Sequence, residues 1–126
     1  MSDGEPTMRE LMLVENPRFE DVMRCVFGIQ DHETETYLAL LDEPGTSAAH
    51  LAETLDRDRS NVSRSLDTLR EKGLTRRRRE VLDAGGHVYC YWAEPLADVK
   101  ERMHEDLDAW TAEVHGYIDG FGAPER

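Results

Sequence analysis

Nine basic side chains lie close together in the middle of an otherwise acidic sequence. They fall between residues 57 and 79 with only three acidic residues among them, so this segment carries a net charge of +6. The whole chain carries −12 at pH 7, which leaves −18 for the remainder. The basic residues are Arg57, Arg59, Arg64, Arg70, Lys72, Arg76, Arg77, Arg78 and Arg79. Such a block can bind phosphates and base edges of a nucleic acid, or it can simply be a solvated face.

The first part of this basic block has the periodicity of a helix. Val62, Leu66 and Leu69 recur every three or four residues, which predicts an amphipathic helix from Ser60 to Lys72 with these three side chains buried. Its polar face would carry the candidate DNA-contacting residues Ser60, Asn61, Arg64 and Thr68.

Arginine pairs with guanine and asparagine with adenine in the major groove of DNA, so Arg64 and Asn61 are the candidate base contacts. Ser63 and Ser65 are predicted to contact phosphates or to flank the base contacts. Arg57 and Arg59, in the turn before this helix, are predicted to bind phosphates and to fix the register of the protein on the duplex.

The second part of the basic block alternates, as a strand does. Residues 75–82 and 87–93 flank a glycine-containing loop, which predicts a β-hairpin. Because side chains alternate along a strand, two of the arginines Arg76, Arg77, Arg78 and Arg79 are expected to face DNA. The candidate minor-groove contacts at the hairpin tip are Gly85, Gly86 and His87. On the second strand Val88, Cys90 and Trp92 share a face, and Cys90 is predicted to lie in the core.

Three helices are predicted before the basic block. Asn16 and Pro17 are expected to begin the first, whose apolar stripe runs from Phe19 to Phe27 and which ends at Gly28. Asp31 is expected to cap the second, and Thr46 or Ser47 the third. The third helix and the basic helix are separated by a tight polar turn, which is the helix-turn-helix arrangement.

A long helix is predicted after Pro95. Its apolar residues follow an almost regular heptad repeat and therefore need a partner surface. We expect a second copy of the chain to supply that surface, and the alternative is a helix that folds back on its own domain. The candidate dimerisation residues are Leu96, Val99, Met103, Leu107, Trp110, Val114, Tyr117 and Phe121.

These elements predict a mainly α fold with a small β-hairpin, namely a winged helix-turn-helix with a long C-terminal dimerisation helix. The expected divisions are an N-terminal arm or short helix at 1–15, a DNA-binding domain at 16–94, a dimerisation helix at 95–121 and a tail at 122–126. The 126 residues suffice for one modest core.

Composition narrows the function classes. No stretch is apolar enough for a membrane span and the N-terminus lacks the pattern of a signal peptide, so we expect a cytoplasmic protein. Strong acidity with only two lysines suggests a halophilic archaeon. The sequence has no phosphate loop, nucleophile elbow or paired acid and base in a plausible pocket, so we expect neither an enzyme nor a cofactor. No compact Cys/His spacing supports a metal site.

Residues 59–74, Arg-Ser-Asn-Val-Ser-Arg-Ser-Leu-Asp-Thr-Leu-Arg-Glu-Lys-Gly-Leu, resemble the recognition helix of archaeal TrmB-type regulators. Residues 35–41, Glu-Thr-Tyr-Leu-Ala-Leu-Leu, are similar to the first helix of that motif, and the resemblance covers roughly residues 28–95. It implies a DNA-binding transcription regulator. Full-length TrmB proteins carry a C-terminal sugar-binding domain, and no such region is seen in this sequence. The layout, with a cysteine in the first helix, also resembles haloarchaeal thiol-based stress regulators of the OxsR type.

The amino-acid sequence therefore predicts a homodimeric regulator that binds specific sites on double-stranded DNA. Cys25 is the candidate redox residue, through sulfenic acid or an intersubunit disulfide, and the alternative is a small packed thiol. Two other functions remain open. One is a winged helix whose basic surface docks an acidic protein partner, and the other is a repressor that senses a small molecule near Trp92 and Trp110.

Overall fold

The computed structural model describes residues 7–13 and 17–122. The elements are α1 (Met8–Leu13), α2 (Phe19–Phe27), α3 (Asp31–Asp42), α4 (Ala48–Leu55), α5 (Arg59–Glu71), β1 (Thr75–Val81), β2 (His87–Ala93) and α6 (Leu96–Gly120). This mainly helical fold with one antiparallel hairpin confirms the predicted fold class. The prediction for Asn16 lies outside the described residues.

The caps of four helices confirm or refine the predicted boundaries. Gly28 ends α2 with φ of +73°, a left-handed conformation that favours glycine. Helix α3 is capped by Gln30 rather than by Asp31, because Gln30 and Glu33 form a reciprocal capping box. Ser47 caps α4 as predicted, and Asp58 caps α5 by accepting the backbone N–H of Ser60 at 3.0 Å. Helix α5 therefore begins one residue before the predicted start.

The core consists of two clusters that share α5. Leu69 lies in the first cluster, together with Met23, Tyr37 and Val99 from α2, α3 and α6. Leu66 lies in the second, which joins α3, α4, α5 and β2. The relative exposures of Val62, Leu66 and Leu69 are 1%, 0% and 0%, so the predicted buried stripe of α5 is confirmed. This packing fixes which face of α5 remains available to a ligand.

The hairpin packs through the opposite strand face from the one predicted. Tyr91 is 5% exposed and belongs to the second core cluster, whereas Cys90 is half-buried on the other face. An additional backbone bridge holds this arrangement, because the N–H of Tyr91 donates to the carbonyl of Thr46 and the N–H of Gly45 donates to the carbonyl of Tyr91, each at 2.8 Å. The prediction that Cys90 is a core residue was wrong, since alternation defines two faces but does not say which one packs.

Helix α6 divides into a packed half and an exposed half. Val99 and Met103 are 0% and 9% exposed and lie in the first core cluster. Arg102 ties this half to the end of α5 by donating to the carbonyls of Lys72 and Gly73, at 2.7 and 2.8 Å. From Leu107 to Gly120 the residues of the helix are exposed, apart from the half-buried Val114. No helix within residues 7–13 and 17–122 is long and apolar enough to cross a membrane.

Tyr37 couples the core to the segment that precedes α6. Its side chain is fully buried and its hydroxyl donates to the carbonyl of Glu94 at 2.7 Å. Burial, with Glu94 and Asp98 nearby, raises the pKa of Tyr37 from 10.0 to about 12. The neutral phenol is thus favoured in the folded state, and its contribution to stability is complete below pH 10 and is lost as pH rises towards 12.

We expect Tyr37→Phe to lower the free energy of unfolding at neutral pH by about 1 kcal/mol, since it leaves the Glu94 carbonyl unpaired. We also expect the variant to lose less stability than the wild type between pH 10 and pH 12. Urea unfolding over this pH range, followed by circular dichroism, measures both effects. An equal loss of stability in both proteins would contradict the assignment to Tyr37.

Candidate nucleic-acid interface

The exposed face of α5 carries three of the four predicted polar residues at its N-terminal end. Ser60, Asn61 and Arg64 are exposed, and Thr68 is half-buried one turn further along. Arg64 donates a hydrogen bond to the side-chain oxygen of Asn61, so the two candidate base contacts are paired with each other. A bound base would have to replace this internal hydrogen bond.

Ser65 does not lie on that face. It is 2% exposed, and Ser63 is half-buried. Ser65 follows Val62 by three residues and precedes Leu69 by four, so it belongs to the buried stripe of the helix. Ser65 therefore lies inside the fold and not on the exposed surface of α5, as the spacing alone could have shown, and its phosphate contact stays a prediction.

Two basic side chains lie at the start of α5, Arg57 in the preceding turn and Arg59 as the first residue of the helix. Asp56 adopts φ of +53°, which reverses the chain within a few residues. Arg59 is exposed, and Arg57 is half-buried with Nη2 3.5 Å from Oε1 of Glu35. Two positive charges thus flank the polar end of α5, as expected for residues that fix position on a phosphate backbone.

A groove runs between α5 and the hairpin. Its volume is about 260 Å³, and its walls include Ser47, Arg59, Ser63, His87 and Tyr89. The sequence pattern did not predict the contribution of Ser47 and the first turn of α4. The sequence feature that indicates this contribution is the Ser47 cap, because it marks the N-terminus of α4. The N-terminus of a helix carries partial positive charge that favours a phosphate.

The strand register sorts the four wing arginines into pairs. Arg77 and Arg79 are paired with Tyr91 and Tyr89, so they lie on the face that also borders the groove. The guanidinium of Arg77 lies 3.9 Å from the ring centroid of Tyr89.

Arg76 and Arg78 lie on the other face, at 6.0 and 5.5 Å from the ring of Trp92. Arg78 also forms an ion pair with Glu80 at 3.0 Å. The structure thus separates one groove-side pair of arginines from one outer pair.

The loop between the strands requires glycine. Gly85 and Gly86 have φ of +97° and +81°, a region that side chains rarely adopt. Both are exposed, and so is His87 at the start of β2. The three predicted tip residues therefore lie together at the free end of the hairpin, where a narrow backbone can approach a ligand closely.

The family model described as "Sugar-specific transcriptional regulator TrmB" matches residues 23–95, which include every element from within α2 to the end of the hairpin. The chain belongs to the TrmB family of transcriptional regulators. The sequence is also 34% identical to the uncharacterized protein MJ1082 of Methanocaldococcus jannaschii, over 90% of this chain and 96% of that protein.

Solved structures share the winged-helix fold with this TrmB-family chain. A possible transcriptional regulator from Methanosarcina mazei Go1 superposes with a TM-score of 0.74 at 24% identity, over 82% of this chain and 88% of that one. FabT of Streptococcus pneumoniae, in complex with DNA, gives a TM-score of 0.52 at 21% identity, over 82% of this chain and 71% of its own. These likenesses establish the fold.

Removing one arginine from each face of the hairpin is expected to have different effects on DNA binding. We expect Arg77→Ala to weaken binding of duplex DNA several-fold more than Arg76→Ala, because Arg77 lies beside the groove and Arg76 on the outer face. Fluorescence anisotropy with labelled duplex measures both variants under the same salt. A larger loss for Arg76→Ala would show that the outer face contacts the duplex.

An apolar surface lies away from this interface, on α2 and the exposed half of α6. Leu107, Trp110, Tyr117 and Phe121 are 45%, 53%, 66% and 81% exposed. Cys25 is exposed and lines a cavity of about 160 Å³ with Leu107 and Trp110.

The arginines near Cys25 have other partners. Arg18 and Arg24 both form ion pairs with Asp31.

Proposed function

We propose that this chain is a sequence-specific regulator of transcription that binds double-stranded DNA as a homodimer. The observation that carries the proposal is the exposed pair Asn61 and Arg64 at the N-terminal end of α5, in a helix that is followed directly by the arginine-rich strand of the wing. In helix-turn-helix proteins this end of the second helix enters the major groove. Arg64 would contact guanine, Asn61 adenine, and Arg57, Arg59 and the groove-side wing arginines the phosphates.

The homodimer is proposed to form through the exposed half of α6. Leu96, Val99 and Met103 contact the core of their own domain, so we assign the seam to the remaining residues, Leu107, Trp110, Val114, Tyr117 and Phe121. A second copy related by a two-fold axis would cover this apolar stripe and place two α5 helices on adjacent half-sites. The proposal therefore includes an operator with two-fold symmetry.

A redox response through Cys25 is the finer part of the proposal. The exposed thiol lies beside Leu107 and Trp110, within the surface assigned to the dimer. Oxidation by a peroxide to sulfenic acid, or to a disulfide between subunits, would change this surface directly. Helix α6 would carry the change towards α5 through Arg102, which donates to the carbonyls of Lys72 and Gly73. This would place the chain with haloarchaeal thiol-based regulators of the OxsR type.

The net charge of −12 suits the concentrated salt of a halophile's cytoplasm, so the proposal must include DNA binding at high salt. Counterion release weakens as salt rises, so binding there must depend on base contacts and on cations that bridge acidic side chains to phosphates. A shallow dependence of affinity on salt follows from this account.

The test is a fluorescence-anisotropy titration of duplex selected from random DNA, in molar KCl, with scrambled duplex as control. Reduced and mildly oxidised proteins are titrated in parallel, with Cys25→Ser as the matched variant. We expect saturable binding to the selected duplex, a difference between the redox states, and loss of that difference in Cys25→Ser. Equal affinity in both states would remove the redox part alone. Equal affinity for the selected and the scrambled duplex would contradict sequence-specific binding and favour the alternative, a surface that docks an acidic protein.

A further inference from the structure

A polar cleft lies between the first turn of α3 and the inner side of α5, next to the proposed base contacts. Its volume is about 520 Å³. Arg57 from the turn and Arg64 from α5 line it, together with Asn61, Ser65 and Thr68. The function proposed above assigns Arg64 and Asn61 to bases and Arg57 to a phosphate, but it gives no role to Ser65 and Thr68, which line the same cleft.

The two guanidinium groups in the cleft are only weakly neutralised. Arg64 donates to the neutral amide of Asn61 and forms no ion pair with a carboxylate of residues 7–13 or 17–122. Arg57 makes a single contact with Glu35 at the long distance of 3.5 Å. The cleft therefore holds positive charge that an anion could neutralise.

The opposite wall offsets only part of this charge, since it contributes one carboxylate against the two guanidinium groups. Glu33 lines the cleft, but it is 9% exposed and its Oε1 accepts the backbone N–H of Gln30 at 2.8 Å. Its carboxylate is thus already used by the capping box of α3. His32, beside it, adds a side chain able to donate a hydrogen bond.

Ser65 supplies a second and independent observation. Its side chain is 2% exposed, and its Oγ has no hydrogen-bond partner within the described ranges. Buried hydroxyl groups are normally paired, and an unpaired one is costly. Ser65 lines a cleft that already contains two arginines, so a ligand whose acceptor oxygens reached its hydroxyl would satisfy it.

We propose that this cleft binds one phosphate group, flanked by Arg57 and Arg64 and hydrogen-bonded by the hydroxyls of Thr68 and, once the Asn61–Arg64 pair opens, Ser65. The group is either a phosphate of the DNA backbone or a small phosphate anion, since both present the same acceptor oxygens. Asn61 and Arg64 also belong to the proposed base-contacting face, so a free anion here competes with DNA. Only the DNA arm of the test rests on the proposed function.

The first arm titrates the full chain with inorganic phosphate, at constant ionic strength in KCl, and follows backbone amides by NMR. We expect the amides of Asn61, Ser65 and Thr68 to shift together. Arg57→Gln is expected to raise the phosphate Kd about tenfold, because it removes one charged donor. Arg70→Gln is the matched control, since it removes an arginine of α5 that pairs with Asp67 outside the cleft.

A second variant separates binding from packing. We expect Ser65→Ala to weaken phosphate binding several-fold without lowering the melting temperature, because it removes a hydroxyl that has no partner in the free protein. Unchanged phosphate binding in both Ser65→Ala and Arg57→Gln would overturn the proposal.

The second arm identifies the source of the phosphate. If the cleft holds a backbone phosphate, Arg57→Gln weakens binding of all duplexes and lowers the slope of log K against log salt by about one. If it holds a free anion, Ser65→Ala leaves DNA affinity unchanged and weakens competition by phosphate, whereas with a backbone phosphate in the cleft the same variant weakens binding of all duplexes. Either result supports the site. Absence of DNA binding by the wild type would overturn the proposed function alone, since the phosphate titration would still decide on the cleft.

Discussion

Arg64→Ala is expected to lower the affinity for the selected operator by roughly 5- to 150-fold, since a bidentate arginine–guanine pair contributes about 1–3 kcal/mol. Arg64 is exposed and pairs only with Asn61 among the described residues, so its removal should leave the core intact. The loss should be largest for the operator and small for unrelated duplex, because a base contact carries sequence information. Anisotropy titrations with both duplexes, beside thermal unfolding, measure these effects.

Arg70→Ala is the control for Arg64→Ala. It removes the same charge from the same helix, but Arg70 lies about 120° away around the axis of α5 and pairs with Asp67 at 3.0 Å. We expect its effect on operator affinity to be small. Equal losses for the two variants would mean that α5 contributes general charge instead of base contacts. No loss in either would favour the alternative of a protein-docking surface.

Trp110→Glu is expected to dissociate the proposed homodimer. The change places a carboxylate in the exposed apolar stripe of α6, and two-fold symmetry introduces it twice. An unpaired charge buried at an interface costs about 3–5 kcal/mol, so the dimer dissociation constant should rise by two orders of magnitude or more. Trp110 is 53% exposed in the single chain, so the domain itself should remain folded. Sedimentation equilibrium in molar KCl measures the effect.

Thr111→Glu is the matched control for Trp110→Glu. It adds the same charge at the next position of α6, where the residue is exposed and outside the apolar stripe. Helix α6 already carries many acidic residues, so the experiment requires salt that screens their mutual repulsion. Equal dissociation in both variants would point to general repulsion. A stable Trp110→Glu dimer would place the interface elsewhere.

Loss of the dimer should also reduce operator affinity, because each subunit would then bind a half-site independently. This link makes the exposed half of α6 as important for binding as the base contacts. It also gives the redox proposal a physical route, because Cys25 shares a cavity with Trp110 and Leu107.

Local pattern alone determined most of the fold of this chain. The stripe of Val62, Leu66 and Leu69 fixed the buried face of α5, since helical periodicity is a property of neighbouring residues. Ser47 marked the start of α4 and the glycines of the hairpin loop marked the turn between the strands, because caps and turns also depend on neighbouring residues. The candidate base contacts Asn61 and Arg64 follow directly from the position of that stripe.

Tertiary contacts decided the rest. Alternation along β2 defined two faces, but only the bridge from Thr46 to Tyr91 selected the one that packs, which left Cys90 outside the core. The heptad pattern of α6 is continuous, yet the core ends after Met103, and this division depends on where α2 and α3 stop offering apolar surface. The cleft between α3 and α5 joins residues from separate helices, and no local pattern places them together.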